Sequence, residues 1–256
     1  VSPLSRITTA VPTGIFIVYV ILHFKLTKLR MKKTIKWSLA QKAELKWWEN
    51  YLKGKDVDGY HVWKRAYWQK LLDLIARVCP PQPGMDVLDA GCGPAGIFMN
   101  LAQCNVDAVD PLVDEYEKNL PHFKRSNYPY TTFYSLPLEQ YVANKQYDII
   151  YCMNAINHVA DINFSYDLLA KMVKPGGKLV VTIDAHNHGF FKHLFRTVPG
   201  DILHPHQYDL KEYEGFLTDR GFKMLKTDRL KQEFFFDHYM QVSEKEKERG
   251  LNGLNG

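Results

Sequence analysis

Cysteine is scarce in this chain, and the cysteines that occur form no metal-binding or redox pattern. The sequence has four, Cys79, Cys92, Cys104 and Cys152, with no Cys-x-x-Cys pair among them. Most lie within apolar runs, where a thiol behaves as a small hydrophobic side chain. This usage predicts neither a disulfide framework nor a zinc site. It is typical of a reducing compartment, so we expect a cytoplasmic protein.

A long apolar run is also missing. The N-terminal apolar run, from Gly14 to Phe24, is well short of the ~20 residues that span a bilayer. The basic stretch Lys25–Lys36 follows this run, whereas a signal peptide carries such charges first. We favour Met31 as the start of the protein, with residues 1–30 an upstream or disordered segment. The alternative is a membrane anchor with a basic cytoplasmic flank, and membrane contact then requires residues 1–30 to be retained.

Excess charge is confined to that basic stretch. The formal net charge is +5, and the chain outside Lys25–Lys36 is expected to be close to neutral. We therefore expect no nucleic-acid partner. With 256 residues, 46% of them hydrophobic, the chain can bury one sizeable core. It shows no internal repeat, so we expect one globular domain with decorations.

The first structured part of the chain is predicted to be helical and rich in aromatic residues. From Ser38 to about Cys79, apolar residues recur at spacings of three and four, which marks amphipathic helices. Gly54 and the stretch Asp56–Gly59 divide this pattern into two helices. Pro80–Gly84 then ends the second helix, because proline has no backbone donor. We assign residues 38–84 to an N-terminal helical cap.

Beyond Gly84, short apolar runs alternate with helical patterns, which is typical of a parallel sheet covered by helices. The strands are predicted at Met85–Ala90, Val106–Val109, Thr131–Tyr134, Tyr147–Met153 and Lys178–Ile183, with helices at Gly96–Gln103 and Phe164–Met172. A further helix, Leu210–Arg220, precedes two antiparallel strands, Phe222–Leu230 and Glu233–Val242. The predicted fold is α/β and Rossmann-like, with a seven-stranded, mostly parallel sheet, an antiparallel last strand and helices on both faces.

The remaining segments lie outside this pattern. Residues 1–37 are assigned to an N-terminal tail, and residues 85–242 to the main domain. Residues 184–208 fit neither period and are rich in His, Phe and Pro, so they are predicted to form a long loop inserted in that domain. Residues 243–256 are charged and then rich in Gly and Asn, which predicts a disordered tail.

The loop after the first predicted strand carries the strongest functional signal. Gly91, Gly93 and Gly96 lie between a strand and a helix, where a ligand can approach the backbone because no side chain occupies the space. The same letters satisfy the G-x-G-x-x-G dinucleotide fingerprint, with Asp110 near its acidic position. Asp89 separates the two interpretations, because a carboxylate is unfavourable beside a pyrophosphate and favourable beside an ammonium group.

With Asp89-x-Gly91-x-Gly93, the chain resembles the class I S-adenosylmethionine-dependent methyltransferases. The resemblance implies that Asp110, at the end of the second strand, binds both ribose hydroxyls, since a carboxylate offers two acceptor oxygens. Asp110 could also cap the helical run that starts at Leu112. The resemblance further implies S-adenosylmethionine as the cofactor.

The resemblance extends over roughly residues 85–184. Tyr147–Asn154 resembles the fourth strand of the family, and Lys174–Leu179 resembles the approach to the fifth. The sequence departs from the family at Leu136-Pro137-Leu138, where an acid and alanine are frequent. Within the family the chain is similar to small-molecule methyltransferases of the ubiquinone-biosynthesis O-methyltransferase group. The predicted cofactor-binding residues are Asp89, Gly91, Gly93, Asp110, Pro111, Leu138 and Asn154.

A histidine near the fourth strand is the candidate base. His158 follows Asn154 by four residues, at the carboxyl edge where α/β sheets bind ligands. An imidazole accepts a proton near neutral pH, which methylation of a hydroxyl or ammonium group requires. An ordinary surface or capping histidine is an equally good interpretation of His158.

The acceptor pocket is predicted from aromatic and histidine residues. Its candidates are Tyr60, Trp63 and Tyr67 in the helical cap, and His186, His188 and His204 in the loop after the fifth strand. The aromatics could instead simply pack the helices onto the sheet. His204-Pro205-His206 has no nearby Cys and is not a standard zinc pattern, so no metal site is predicted.

Together these features predict methyl transfer from S-adenosylmethionine to an oxygen or nitrogen of a small, partly apolar acceptor. Two alternatives stay open at this stage. One is an NAD(P)-dependent oxidoreductase, and the other is a non-catalytic binding protein with the methyltransferase fold.

Overall fold

The described part of the chain begins with the two predicted helices. The computed structural model describes residues 37–186, 208–233 and 236–247. The chain divides into two units at residue 42, and the second unit contains the sheet. Helix α1 covers residues 37–52, and α2 covers Val57–Ile75. The Asp56 carboxylate accepts a hydrogen bond from Gly59 N at 2.6 Å and so caps α2, which confirms the predicted break between the helices.

A seven-stranded sheet forms the centre of the second unit. Its strands are β1 (Asp86–Ala90), β2 (Asn105–Val109), β3 (Thr131–Tyr134), β4 (Tyr147–Cys152), β5 (Val173–His186), β6 (Phe222–Gln232) and β7 (Phe236–Lys245), in the spatial order β3-β2-β1-β4-β5-β7-β6. The pairs among β1 to β5 are parallel. β7 is reversed, and it pairs antiparallel with both β5 and β6. The predicted mostly parallel sheet with an antiparallel final hairpin is confirmed.

Helices cover both faces of this sheet because side chains alternate along each strand. In β1, Val87 belongs to a buried cluster that includes α2, whereas Leu88 belongs to a cluster on the opposite face. The second cluster contains residues of helices α4 (Ile162–Met172) and α5 (Leu210–Thr218). Helix α3 (Val113–Asn119) packs into the first cluster. The predicted placement of helices on both faces is confirmed.

The predicted helix Gly96–Gln103 is wrong. Two short 3-10 helices occupy this region, Gly93–Ala95 and Ile97–Asn100, and β2 begins soon afterwards at Asn105. The few residues available must return the chain to the start of a parallel strand. A 3-10 helix rises about 2.0 Å per residue, against about 1.5 Å for an α-helix, so it covers this length with fewer residues.

The other differences concern where strands end. β5 begins at Val173, earlier than predicted, because Val173 already pairs with Tyr147 of β4; the chain then passes an irregularity at Gly176, with a φ of +80°, and pairs with β4 again from Lys178. It also continues to His186, so residues 184–186 are strand and not loop. β7 continues past Val242 to Lys245, into the segment assigned to the tail.

All four thiols lie inside the fold. Cys79, Cys92, Cys104 and Cys152 are free and buried, as expected for small hydrophobic side chains. Across residues 37–186, 208–233 and 236–247, the helices lack the length and apolarity that a membrane span requires.

Candidate functional site

The glycine loop, Gly91–Gly96, leaves β1 in a conformation that glycine adopts far more easily than other residues. The φ angles are +77° at Gly91 and +56° at Gly93, in the left-handed region. Gly91 N donates to Val109 O at 2.7 Å, which ties the loop to the end of β2. A Cβ atom on Gly91 would overlap the Ala155 methyl, so the loop lies directly against the turn that follows β4. Glycine is therefore required at position 91 by backbone angle and by space.

Asp89 is buried at the base of this loop and holds its shape. The side chain is 1% exposed, and its Oδ2 accepts a hydrogen bond from Phe98 N at 3.0 Å. A Cβ on Gly96 would overlap the same carboxylate oxygen, which explains the third glycine of the motif. Burial raises the pKa of Asp89 to about 7, although hydrogen bonds from the backbone N–H groups of Phe98 and Ile97 favour the charged form. Contact between Asp89 and a methionine ammonium stays a prediction.

Asp110 links the glycine loop to the chain beyond β2. Its Oδ2 accepts from Gly93 N at 3.0 Å and its Oδ1 from Leu112 N at 2.9 Å. The hydrogen bond from Leu112 is the helix-capping contact that the sequence analysis offered as an alternative role for Asp110. The hydrogen bond from Gly93 connects Asp110 to the glycine loop. Burial raises the pKa of Asp110 to about 6, while both backbone donors lower it. The carboxylate is thus fixed at the edge of the loop.

A third carboxyl group, Glu44 on α1, was not predicted. It is partly buried, accepts a hydrogen bond from the Trp48 side chain and interacts electrostatically with Asp110. Burial, followed by the charge of Asp110, raises the pKa of Glu44 to about 7. The Trp48 ring lies 3.6 Å from the position of a Cβ on Gly93. Tertiary packing alone brings α1 to the glycine loop, so no spacing in the sequence could have predicted Glu44 as part of the site.

A lysine on α2, Lys64, interacts with one of these acids, Asp89. The Lys64 ammonium lies 4.5 Å from the Trp68 ring centroid and 4.9 Å from that of Tyr67. Burial lowers the pKa of Lys64 to about 8, against the opposing effect of Asp89. The Trp68 indole N–H donates to Ala95 O at 2.9 Å and fixes α2 against the glycine loop. Lys64 was not predicted either, although the sequence analysis had singled out aromatic residues around it.

Three further predicted cofactor residues follow successive strands at the same sheet edge. Pro111 follows β2, and its carbonyl oxygen accepts from Ser135 Oγ at 3.5 Å. Leu138 is 7% exposed in a 3-10 helix after β3. Asn154 follows β4 with a φ of +54°, and its N–H donates to Thr182 Oγ1 at 2.7 Å. The Thr182 hydroxyl in turn donates to Asn154 Oδ1 at 2.8 Å, which holds the strained residue in place.

His158, the predicted base, lies in the 3-10 helix Ile156–His158 beyond β4. Its backbone N–H donates to Ala155 O at 3.0 Å, and the residue is partly buried. Ala155 is the residue that the glycine loop approaches. His158 is therefore close in sequence to a residue that the glycine loop approaches, while its catalytic role stays a prediction.

The aromatic residues predicted to form an acceptor pocket lie in two separate cavities. Tyr60 and Trp63 line a cavity of about 400 Å³ together with Tyr51 and Lys55. Tyr67 lines a larger cavity of about 630 Å³ farther along the same face of α2. The Trp63 and Tyr67 rings are stacked with centroids 6.2 Å apart, so the two cavities are neighbours.

The histidines assigned to the acceptor pocket cannot be placed in the same way. His186 is the last residue of β5, and His188 and His204 lie outside the described residues. Within the described ranges, no group of three or more His, Cys, Asp or Glu side chains is arranged to hold a metal ion.

The comparison with protein families identifies the class. Residues 62–227 match the family model described as "Methyltransferase domain", which is more than half of the chain. The chain belongs to this family. This match confirms the prediction, made from the motifs, of a class I S-adenosylmethionine-dependent methyltransferase.

Individual relatives agree with the family. The chain is 35% identical over 106 residues to the ubiquinone biosynthesis O-methyltransferase of Rhizobium rhizogenes, covering 40% of this chain and 42% of that protein. It is 31% identical over 159 residues to the Rickettsia akari protein of the same name, covering 53% of this chain and 63% of that protein. The matches thus span less than two thirds of the length of these relatives.

A solved structure supports the fold. The N-methyltransferase NodS from Bradyrhizobium japonicum WM9, in complex with S-adenosyl-L-homocysteine, has a TM-score of 0.53 and 14% sequence identity. The match covers 76% of this chain and 90% of NodS. At this identity the likeness shows the shared architecture alone.

Proposed function

We propose that this protein transfers the methyl group of S-adenosylmethionine to an oxygen or nitrogen of a small, partly apolar acceptor. The observation that carries the proposal is the glycine loop, in which Gly91 and Gly93 adopt left-handed φ angles and the Gly93 N–H is bonded to Asp110. The family match supports the same activity. The NAD(P)-dependent alternative is not favoured, because the matched family and relatives are methyltransferases.

The residues around the loop fit this cofactor electrostatically. Burial and, to a smaller extent, the charge of Asp110 raise the pKa of both Glu44 and Asp89, so the negative charges of these acids repel that of Asp110. A ligand that carries a sulfonium and an ammonium group relieves this repulsion. Lys64, beside Asp89, supplies a positive charge for the carboxylate of the same ligand. A pyrophosphate, by contrast, would meet the acids with like charge.

Each residue then has a definite task. The bound cofactor supplies an electrophilic methyl group on a positively charged sulfur. Asp110 would accept hydrogen bonds from the ribose hydroxyls, as the resemblance implies, while Pro111 and Leu138 flank the adenine with apolar surface. Asn154 stays fixed by Thr182 at the end of β4. His158 is the proposed base for the acceptor proton.

The relatives and the chain composition suggest a setting for this reaction. The relatives are O-methyltransferases by name, which supports oxygen as the atom methylated. Four free, buried thiols suit a reducing compartment, so we place the protein in the cytoplasm. A small-molecule acceptor suits the cavity volumes beside α2, which fall within the range of about 300–1,000 Å³ for ligand pockets.

Isothermal titration of the chain with S-adenosylmethionine, S-adenosylhomocysteine and NADH, in parallel, tests the cofactor. Micromolar binding of the first two without NADH binding is the expected result. NADH binding alone would overturn the proposal. Cofactor binding with no methyl transfer to any acceptor class would favour a non-catalytic binding protein.

A further inference from the structure

Helix α1 contacts the glycine loop through the ring of Trp48. This ring lies 3.6 Å from the position that a Cβ on Gly93 would occupy. Its centroid is also 6.4 Å from that of Tyr116 on α3, in an edge-to-face arrangement. The Gly93 N–H is the group that donates to Asp110. Trp48 therefore fixes α1 at the part of the loop that is bonded to Asp110.

Glu44 lies one helical turn before Trp48, on the same face of α1. Side chains four residues apart on a helix are neighbours, with about 5–6 Å between their Cβ atoms. Glu44 accepts a hydrogen bond from the Trp48 side chain and interacts with the charge of Asp110. The contact between Trp48 and Gly93 thus brings a carboxyl group from α1 close to the carboxyl group that follows β2.

Asp110 has little hydrogen-bonding capacity to spare. Its Oδ2 accepts from Gly93 N at 3.0 Å and its Oδ1 from Leu112 N at 2.9 Å, so each oxygen has one lone pair left. The residue is 6% exposed, which restricts the directions from which a ligand can reach these lone pairs. A vicinal diol brings two O–H donors, and a second carboxylate beside Asp110 can accept one of them.

A hydroxyl without a partner lies beside the same two acids. Tyr116 is fully buried and interacts with both Asp110 and Glu44. Among the residues that the structure describes, its hydroxyl has no partner with the geometry of a hydrogen bond. A buried polar atom of this kind is costly, and it marks a position where a ligand group belongs. A ligand hydroxyl can accept from a tyrosine and donate to a carboxylate at the same time.

We propose that Glu44 accepts a hydrogen bond from one ribose hydroxyl of the bound cofactor, while Asp110 accepts from the other. The inference rests on the proposed function and adds a cofactor-binding residue from α1 to a site that the strand ends otherwise provide. The Tyr116 hydroxyl donates to the same diol. Helix α1 is then part of the cofactor site, because the ribose is fully bound only while α1 lies against the glycine loop.

Glu44→Leu tests this role, because leucine keeps the helix propensity of α1 and removes the acceptor. Isothermal titration should show S-adenosylhomocysteine binding weakened by about 10- to 100-fold, the scale of a hydrogen bond to a charged group. Glu49→Leu is the matched control on the same helix, where Glu49 pairs with Lys46 at 2.9 Å, and it should change affinity by less than about twofold. If Glu44 only repelled Asp110, its removal would leave or strengthen binding, and that result would overturn the proposal.

Ligands that lack one hydroxyl identify the contact itself. Wild type and Glu44→Leu are titrated with 2′-deoxy and 3′-deoxy S-adenosylhomocysteine. With the analogue that lacks the hydroxyl bound by Glu44, the substitution should change affinity by less than about twofold, while it keeps its full effect with the other analogue. An equal loss with S-adenosylhomocysteine and with both analogues would show that Glu44 acts through the packing of α1, and the proposal would be wrong.

A conservative variant and the wild type complete the test. Glu44→Gln keeps the size of the side chain and an acceptor oxygen, so its affinity should lie between those of wild type and Glu44→Leu. If both variants fold, as circular dichroism shows, and Glu44→Gln binds no better than Glu44→Leu, the hydrogen bond is refuted. A wild type that does not bind S-adenosylhomocysteine would overturn the proposed function itself. Wild-type binding that Glu44→Leu leaves unchanged would overturn the role of Glu44 alone.

Discussion

Gly91→Ala tests the close approach between the glycine loop and the turn after β4. A non-glycine residue at a φ of +77° costs roughly 1–2 kcal/mol. The new methyl would also overlap Ala155, and overpacking of this kind adds about 1–3 kcal/mol. We expect the free energy of unfolding to fall by about 2–5 kcal/mol in total. Urea unfolding followed by circular dichroism measures this loss, and titration with S-adenosylhomocysteine measures the effect on the loop.

The chain offers a matched control and a rescue. Gly54 has a φ of +75°, but no atom lies within 4 Å of its would-be Cβ, so Gly54→Ala carries only the backbone cost. Ala155→Gly in the Gly91→Ala background removes the overlapping methyl and should recover about 1–3 kcal/mol in a double-mutant cycle. Equal losses in Gly54→Ala and Gly91→Ala, or no recovery in the double variant, would show that the loop and the turn are not in contact.

Three other predictions address the acids and the candidate base. Asp110→Ala should weaken S-adenosylmethionine binding by about 1–3 kcal/mol, which is the scale of a lost charge-assisted hydrogen bond. Isothermal titration measures this loss, and Asp114→Asn, at an exposed carboxylate, is the control. Equal affinities of the two variants would contradict the ribose assignment. His158→Ala should slow turnover with cofactor affinity nearly intact if His158 is the base, whereas an unaltered rate would remove it from the catalytic residues. Stability without ligand should fall as the pH rises from about 4 to 7, because folded Asp89, with its pKa raised to about 7, keeps a proton that the unfolded chain has lost. Asp89→Asn should flatten that slope by on the order of 2–4 kcal/mol across the window in urea unfolding, and an unchanged slope would refute the buried, protonatable state.

The fold was predictable because local patterns and global topology agree. The apolar run before Asp89 and the run before Asn154 are strands in the structure, and Asp56 caps a helix where the sequence breaks the pattern. The short 3-10 helices after Gly93 were not predictable, because the distance that the chain must cover back to β2 decides between helix types there.

The site was predictable where it is contiguous with a motif. Asp89 lies at the end of β1 and Asp110 directly after β2. These two strands are adjacent and parallel, so the proximity of the two acids follows from the order of the strands. Glu44 and Lys64 reach the loop from α1 and α2, and no spacing in the sequence encodes how a helix packs across a sheet edge.

The buried cysteines make the native protein resistant to thiol chemistry. Burial raises the pKa of Cys79 and of Cys152 to about 12 and that of Cys104 to about 11, and it raises the pKa of Cys92 as well. Only the thiolate attacks disulfide reagents, so modification must wait for the fold to open. Cys92 lies inside the glycine loop, whereas Cys152 ends β4. The labelling rate of each thiol would therefore report how often its own part of the molecule opens, and a ligand that closes the loop should slow Cys92 before the others.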